Sequence, residues 1–585
     1  MPKRWRLRAH DADRIARLQQ TSGLPAVVAQ LLICRGIADA DTARDFLESK
    51  LVGLRDPLDL PGCQQAAERL WDAVRGGRRI IVYGDYDVDG VAATSILWRC
   101  LSLLGANVGF YVPHRMEEGY GLNAEALTTL AAQGAQLIIT VDCGVTALRE
   151  AELARELGLE LMITDHHQMA SGLPAAAAIV HPLLPGHEYP FPYLSGAGVA
   201  FKVAWALCQQ ASQARKVNEA MREFLLGAVA LAALGTVADV VPLIDENRIL
   251  VRHGLLSLKQ RPSVGLAAML RAAQLERKRE LSAEDIAFSI APRLNAAGRM
   301  GQAQLAIELL ITESAERAAE LAEYLNELNS SRQSLERSIY LKAHKQAESQ
   351  FDPERDAALV LADRGWHAGV IGIVAGRIVE RFHRPAVLIS LDDLGVKPGV
   401  GSARSVPGFD LHAALSACES HLVSYGGHAA AAGLKIDERR LDAFREEFCR
   451  HAAGAIADEQ RVAELWIDAE APLSAFTLKA VEQMEQLAPF GHGNMRPLLC
   501  ATGVQLAEPP RRIGAGGRHL AVKLAQHGVS MRAVAFGKGD WEPELLAARE
   551  PFAIAFHPVI STFGGSRRVE LQLADWRLDP ALAPC

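Results

Sequence analysis

The sequence predicts an α/β protein: a doubly wound parallel sheet, a long helical connector, a smaller α/β domain and a C-terminal β-barrel. Three observations carry this. Short β-branched runs near 80–83, 108–112, 137–141, 161–164 and 177–181 alternate with Ala/Leu-rich stretches of helical period, the pattern of parallel strands joined by crossover helices. From Ala303 to about Gln350 the chain has no Gly or Pro and is rich in Ala, Leu, Glu and Arg, which suits a long helix or helix pair. Beyond residue 463 short strands with Gly-rich turns take over, among them Arg518–Leu524, Met531–Phe536 and Phe552–Phe556, and this spacing suits a small barrel of the OB type.

In chain order, residues 1–77 read as a helical cap on the sheet and 78–302 as the sheet domain with its following helices. Within it, Leu225–Ala238 is uncharged but shorter than the ~20 residues of a membrane span, and it reads as a buried helix. The connector is assigned to 303–350. Residues 351–460 restart a strand pattern at Ala357–Leu361 and Pro385–Ser390, and 461–585 hold the barrel. A chain of 585 residues with 49% hydrophobic content supports several cores, roughly three to four by length. The net charge of -7 does not mark a nucleic-acid binder, although a local basic groove is compatible with it. Met1–Arg6 lacks the apolar core of a signal peptide, and nine cysteines without a CxxC pair exclude zinc-ribbon and thioredoxin readings. A cytoplasmic protein with free thiols and no membrane association is expected.

Chemistry concentrates where strands should end. Gly84–Gly90 places Asp85, Asp87 and Asp89 directly after Ile80–Tyr83. Like charges this close need raised pKa values or a cation, and the carboxyl ends of strands are where α/β sheets bind ligands. A calcium loop of the EF-hand type is excluded, because an apolar helix starts at once with Val91–Ala93. Asp142 follows 137–141, and Asp165-His166-His167 follows 161–164. Neighbouring histidines point in different directions, so one can ligate a metal while the other faces a substrate, with Asp165 orienting a ring. Asp239 ends a long apolar stretch and needs a cation or donors, or else serves as a helix cap. Oxygen and imidazole donors together suit Mn2+ or Mg2+ in a two-metal site, and phosphodiester hydrolysis is one chemistry that fits such a site.

These segments resemble the DHH phosphoesterase superfamily. Gly84–Gly90, Val141–Gly144, Asp165–His167 and Val237–Pro242 are similar to its four motifs, in the order and spacing of RecJ-type single-strand exonucleases. Pro113–Gly121, Ala291–Met300, Ser402–Ser405, Gly426–Gly433 and Leu487–Asn494 also resemble RecJ segments. The resemblance implies a DHHA-type second domain and an OB-type third. It implies that Asp85, Asp87, Asp142, His166 and Asp239 ligate metal, with Asp142 bridging. His167, oriented by Asp165, would contact the scissile phosphate, and Asp89 is left between ligand and support. Arg115, Arg293, Asn295, Arg299, Ser402, Arg404 and His428 would hold the strand and its 5′ end. The implied activity is 5′→3′ hydrolysis of single-stranded DNA in repair and recombination by a monomer, with a single-strand-binding protein and a helicase as partners. Small-substrate relatives carry a His four residues before the first Asp, where this chain has Ile81. That departure weighs against the alternative of a phosphodiesterase for short oligonucleotides or cyclic dinucleotides. A non-catalytic replication scaffold, the other alternative, would lack metal ligands. In the barrel, Arg511, Arg512, Arg518, Lys523, Arg532, Arg567 and Arg568 either line a binding face or protect strand edges.

Overall fold

A computed structural model describes residues 3–115, 118–170, 172–352, 355–457, 462–562 and 565–578. Met116 and Glu117 of the Pro113–Gly121 segment lie outside them. After β1 (Arg4–Leu7) come helices at Ala12–Ser22, Ala26–Ile33, Ala40–Glu48 and Cys63–Arg75. β2 (Arg79–Tyr83), β3 (Asn107–Tyr111), β4 (Leu137–Val141), β5 (Glu160–Thr164) and β6 (Ala178–Val180) form a parallel sheet in the order β3-β2-β4-β5-β6. The order reverses at β2, so the carboxyl ends of β2 and β4 bound the crevice where open α/β sheets take their ligands.

Residues of alternate parity on β2, β4 and β5 enter two different cores, which is why these strands are apolar throughout. Ile80, Val82, Leu137, Ile139 and Met162 pack with helices Cys63–Arg75, Val88–Leu103 and Gly196–Ser212. Ile81, Ile138 and Ile163 pack with Ala124–Ala132 and Leu148–Glu156. Helix Glu219–Ala238 is long and apolar enough by composition to cross a membrane, and it packs here between Val88–Leu103 and Asp245–Gln260. The connector is a helix pair, Ala303–Ile311 and Ala315–Gln350, with Ser314 capping the second. That second helix joins two cores: Ala318, Leu321 and Leu325 belong to the first domain's, Ile339, Ala343 and Ala347 to the second's.

The second domain is a mixed sheet of β7 (Leu359–Arg364), β8 (Ala386–Leu391), β9 (Gly399–Arg404), β10 (Leu422–Gly427) and β11 (Ala431–Ile436), in the order β10-β11-β9-β8-β7. After β12 (Glu464–Ile467) and β13 (Ala469–Glu470) come β14 (Leu499–Ile513), β15 (His519–Gln526), β16 (Val529–Ala535), β17 (Phe552–Ser561) and β18 (Arg568–Arg577). These last five close into a barrel through the β14–β17 pairing.

The N-terminal segment departs from the expectation of a cap on the sheet. Of its four helices, Cys63–Arg75 packs there. Ile15, Leu18, Val28, Leu31 and Leu32 instead share a core with Val481, Phe552 and Phe556 of the barrel region, and β1 pairs with β12. Helical periodicity reveals that such a segment has an apolar face, and says nothing of which distant surface covers it. The junction is held by Arg248 of the first domain, 1% exposed, which donates to the carbonyls of Phe46, Leu487 and Gln486.

Candidate metal centre and strand-binding cleft

β2 ends at Tyr83 and the chain turns at Gly84, where a Cβ would stand 2.0 Å from Thr94 Oγ1. Asp85 is buried at this turn. Asp87 caps helix Val88–Leu103, its Oδ1 accepting from the Asp89 and Gly90 N–H groups at 2.9 and 3.1 Å. Asp89, in the first turn, accepts from the N–H groups of Gly196 and Ala197 at 2.6 and 2.9 Å, at the N-terminus of helix Gly196–Ser212. Asp142 follows β4 in the left-handed region at φ 61°, a strained backbone for a non-glycine residue. Asp239 is the C-cap of Glu219–Ala238, so its cap role and its place in the site coexist.

The Asp165 carboxylate is spent on orientation. Its Oδ1 accepts from the His166 and His167 N–H groups at 2.7 and 3.1 Å and lies 2.8 Å from His167 Nδ1, and its Oδ2 accepts from the Val145 N–H. His166 Nε2 lies 3.1 Å from Asp142 Oδ1, 3.6 Å from Asp239 Oδ2 and 3.8 Å from Asp89 Oδ2. Ligand atoms of Asp89, His166 and Asp239 fall within 4.8 Å of one another, as do those of Asp85, Asp87 and Asp142, and those of Asp142, His166 and His167. Asp142 thus stands between two groups, the position a bridging ligand needs. Asp85 Oδ1, Asp142 Oδ1 and His166 Nε2 are buried without a hydrogen-bond partner. Buried polar atoms are nearly always satisfied, so three converging ones fit the demand of a divalent cation.

The electrostatics agree. Burial first, then the other carboxylates, push Asp85 and Asp142 well above the ordinary carboxylate range. The same causes raise Asp89 to about 7 and Asp239 to about 8. Burial, and then repulsion from His167, lower His166 to about 3, so its imidazole is neutral with a lone pair to give. For His167 burial is outweighed by Asp165, which raises it to about 9, while that pairing takes Asp165 down to about 2 against its own burial. One ring is therefore a ligand type and the other a cation at neutral pH.

Beside this centre lies a group of guanidinium ions. Arg115 stacks on Tyr86 at 4.7 Å from the ring centre, in the wall of a cavity of about 350 Å3 shared with Gly298 and Gly301. Arg299 donates to the Gly369 carbonyl of the second domain; burial, then Arg115, Arg332 and Arg404, push it down to about 10. Arg404 donates to Ser402 Oγ at 3.2 Å, and burial and Arg115 lower it too. Cations crowded in this way favour an anion among them, and guanidinium groups match the geometry of a phosphate. His428 lies exposed in the turn between β10 and β11, three residues from Ala431, the register partner of Arg404. Arg293 donates to Asn326 and to the Ser289 carbonyl, and Asn295 accepts from the Val88 N–H, so both brace the helix that borders the cleft.

Four contributors escaped the sequence reading. The Gly196 and Ala197 N–H groups hold Asp89, and Gly235 makes room for it, a Cβ there standing 2.1 Å from Asp89 Oδ1. The small-residue run Gly196-Ala197-Gly198 after Ser195 was the available signal. Tyr120 donates to the Asp142 carbonyl at 3.2 Å and lies 3.1 Å from His167 Nδ1. Arg512, Lys523, Arg532 and Arg567 pair with Glu542, Glu508, Glu570 and Glu482, so a carboxylate partly neutralises each, and Lys523 and Arg532 sit on strands paired on both sides, where there is no edge to protect.

A doubly wound sheet with carboxylates and histidines converging at its switch point, followed by a mixed α/β domain, defines a DHH-type metal phosphoesterase. Sequence profiles agree: residues 79–233 match the DHH family N-terminal domain, 356–454 the DHHA1 domain and 467–575 the RecJ OB domain. The chain belongs to the family of the RecJ single-stranded-DNA-specific exonucleases. It is 36% identical over 574 residues to RecJ of Bacillus subtilis (strain 168), covering 98% of this chain and 70% of that protein. With RecJ of Escherichia coli (strain K12) it shares 34% identity, covering 85% and 86%. The crystal structure of Thermus thermophilus RecJ in complex with Mn2+ superposes with a TM-score of 0.83 at 33% identity, covering 99% of this chain and 80% of that one.

Proposed function

We propose that this protein is a metal-dependent exonuclease that hydrolyses phosphodiesters of single-stranded DNA from the 5′ end, in DNA repair and recombination. The observation that carries the reading is the convergence of Asp85, Asp142 and His166, each with a buried atom lacking a partner, next to the guanidinium group of Arg115, Arg299 and Arg404. Asp85, Asp87, Asp89, Asp142, His166 and Asp239 would hold Mn2+ or Mg2+; when bound, two such ions supply hydroxide at neutral pH and neutralise charge on the phosphate. His167 stands charged with Nδ1 committed to Asp165, which leaves Nε2 to donate to a phosphate oxygen as negative charge develops. Asp165 fixes that orientation. Ser402, Arg404, Arg299 and Arg115 hold the terminal phosphate, so that the scissile bond is set at a fixed distance from the strand end. A cytoplasmic monomer working with a single-strand-binding protein and a helicase belongs to the same proposal.

The test is product analysis on 5′- and 3′-labelled single strands and duplexes with Mn2+, Mg2+ or chelator. Mononucleotides released from the 5′ side of single strands, and only with metal, are expected. Asp142→Ala should lose hydrolysis while still binding single strands. Near-normal turnover in that variant, or release from the 3′ side, would overturn the reading.

A further inference from the structure

The helical run Ala283–Arg299 contains a π-turn at Ile286–Ile290. Its cause is in the sequence. Pro292 has no N–H for the carbonyl four residues back, and its ring collides with that carbonyl. The turn before it opens to i→i−5 spacing, with the Ala291 N–H bonded to the Ile286 carbonyl. Ile286 and Ile290 stay fully buried, while Phe288 between them is 77% exposed. Neither the metal centre nor the guanidinium group uses this ring.

Its position gives it a use. Glu284, Phe288 and Pro292 follow one another along the side of the run opposite Ile286, Ile290 and Leu294. At one end Arg496 donates to Glu284 at 3.3 Å, from the segment that leads into the barrel. At the other end Asn295 bonds the Val88 N–H, and Gly298 packs where a Cβ would stand 2.2 Å from the Tyr86 carbonyl. The run therefore spans from the barrel to the Asp85–Asp89 loop. Phe288 lies about 10 Å along the axis from Asn295, which corresponds to about three stacked nucleotides. A lone exposed aromatic ring needs no explanation by itself. One held out by a π-turn, on a line from a barrel to a catalytic loop, matches the stacking platforms on which single strands lie.

We propose that Phe288 is such a platform: its ring stacks on a base about three nucleotides from the scissile bond and guides the single strand into the metal centre. The inference rests on the exonuclease reading above. Phe288 positions substrate and takes no part in the chemistry, so its loss should appear in KM. In the full-length enzyme with Mn2+, Phe288→Ala should raise KM for a single-stranded oligonucleotide about tenfold with kcat kept within about twofold, and Phe288→Tyr should restore KM. A strand carrying 2-aminopurine near its third nucleotide should lose fluorescence on binding the Asp142→Ala protein, and less so when Phe288→Ala is added. An unchanged KM in Phe288→Ala, or equal impairment in the alanine and tyrosine variants, would overturn the proposal while leaving wild-type exonuclease activity in place. A wild-type enzyme that releases nothing from single strands would instead remove the reading beneath it, and the proposal with it.

Discussion

Without its metal the protein should lose stability as pH rises, and Mn2+ should cancel that loss. Asp89 and Asp239, each surrounded by carboxylates, hold their protons up to about pH 7 and about pH 8 in the chelated fold. Unfolded, they release them near the ordinary value of about 3.9. Between those limits the folded state binds more protons, so their stabilising contribution is complete below about pH 4 and is lost as pH climbs through the folded values. Each proton costs about 1.4 kcal/mol per pH unit, so the two groups together remove about 5 kcal/mol between pH 5 and pH 7. Asp85 and Asp142 are shifted the same way and add to it. For a domain of a few hundred residues this lowers Tm by about 10 °C or more. The His167–Asp165 pair also weakens at high pH, above the ordinary His value; the share due to Asp165 is common to both curves, and the smaller share due to Asp239 and Asp89 belongs to the chelated one and adds to the divergence. The assay is thermal unfolding from about pH 5 to about pH 8, with excess chelator or saturating Mn2+, comparing the two curves. They should diverge with rising pH, and Asp89→Asn with Asp239→Asn should flatten the chelated curve. Parallel curves, or a chelated protein that gains stability with pH, would refute the argument.

Arg404→Ala should reduce the preference for 5′-phosphorylated over 5′-hydroxyl strands at least tenfold, measured as a ratio of kcat/KM, because it removes one guanidinium from the group that Arg115 and Arg299 complete; an unchanged ratio counts against that site. Gly235→Ala places a Cβ 2.1 Å from Asp89 Oδ1 and 2.5 Å from Ala197 Cβ, so either the carboxylate or its helix must shift. The expected cost is about 1–3 kcal/mol of stability and about 100-fold in kcat, and near-normal turnover would show that Asp89 is dispensable. Truncation at residue 461 should give an aggregating protein, since Ile15, Leu18, Val28, Leu31 and Leu32 lose the barrel core that covers them. Removing residues 1–50 as well should restore solubility, which light scattering would report.

The parallel sheet and its metal-site candidates were legible because each signal is local. A buried strand ending in carboxylates needs no distant partner to be noticed, and three such ends, with Asp239 closing a long apolar stretch, lie within one domain's sequence. The limits of the reading are non-local. Asp89 looked like support for Asp85 and Asp87, and what distinguishes it is the N-terminus of a helix that begins 107 residues later. The N-terminal helices show their apolar faces in sequence, yet their cover lies at the other end of the chain. The barrel cations read as a groove or as protected edges, and only the closure of the barrel and cross-strand partners such as Glu508 and Glu570 show that Lys523 and Arg532 guard no open edge. Phe288 falls on the side opposite Ile286, Ile290 and Leu294, and sequence alone does not tell a ring exposed on that side from one covered by a neighbouring element.

Two carboxylates on either side of His166 are held in opposite ways, and this divides the labour of the centre. Asp89 sits at a helix N-terminus and accepts two backbone N–H bonds, so the fold itself stabilises its charge. Asp239 ends a helix, where the backbone presents carbonyls and the dipole opposes a negative charge. Burial, then the charges of Asp89 and Asp87, raise Asp239 to about 8, and at Asp89 burial and Asp87 are offset by the bonds from Ala197 and Gly196, which leaves it at about 7. A cation bound between them favours the ionised form of both. Metal binding near neutral pH should release protons from Asp239 and equally from Asp85 and Asp142, which burial and the neighbouring carboxylates hold well above the ordinary carboxylate range. In this centre the fold anchors the Asp89 carboxylate through two backbone N–H groups, whereas Asp239 stands at a helix end and faces His166 Nε2 at 3.6 Å.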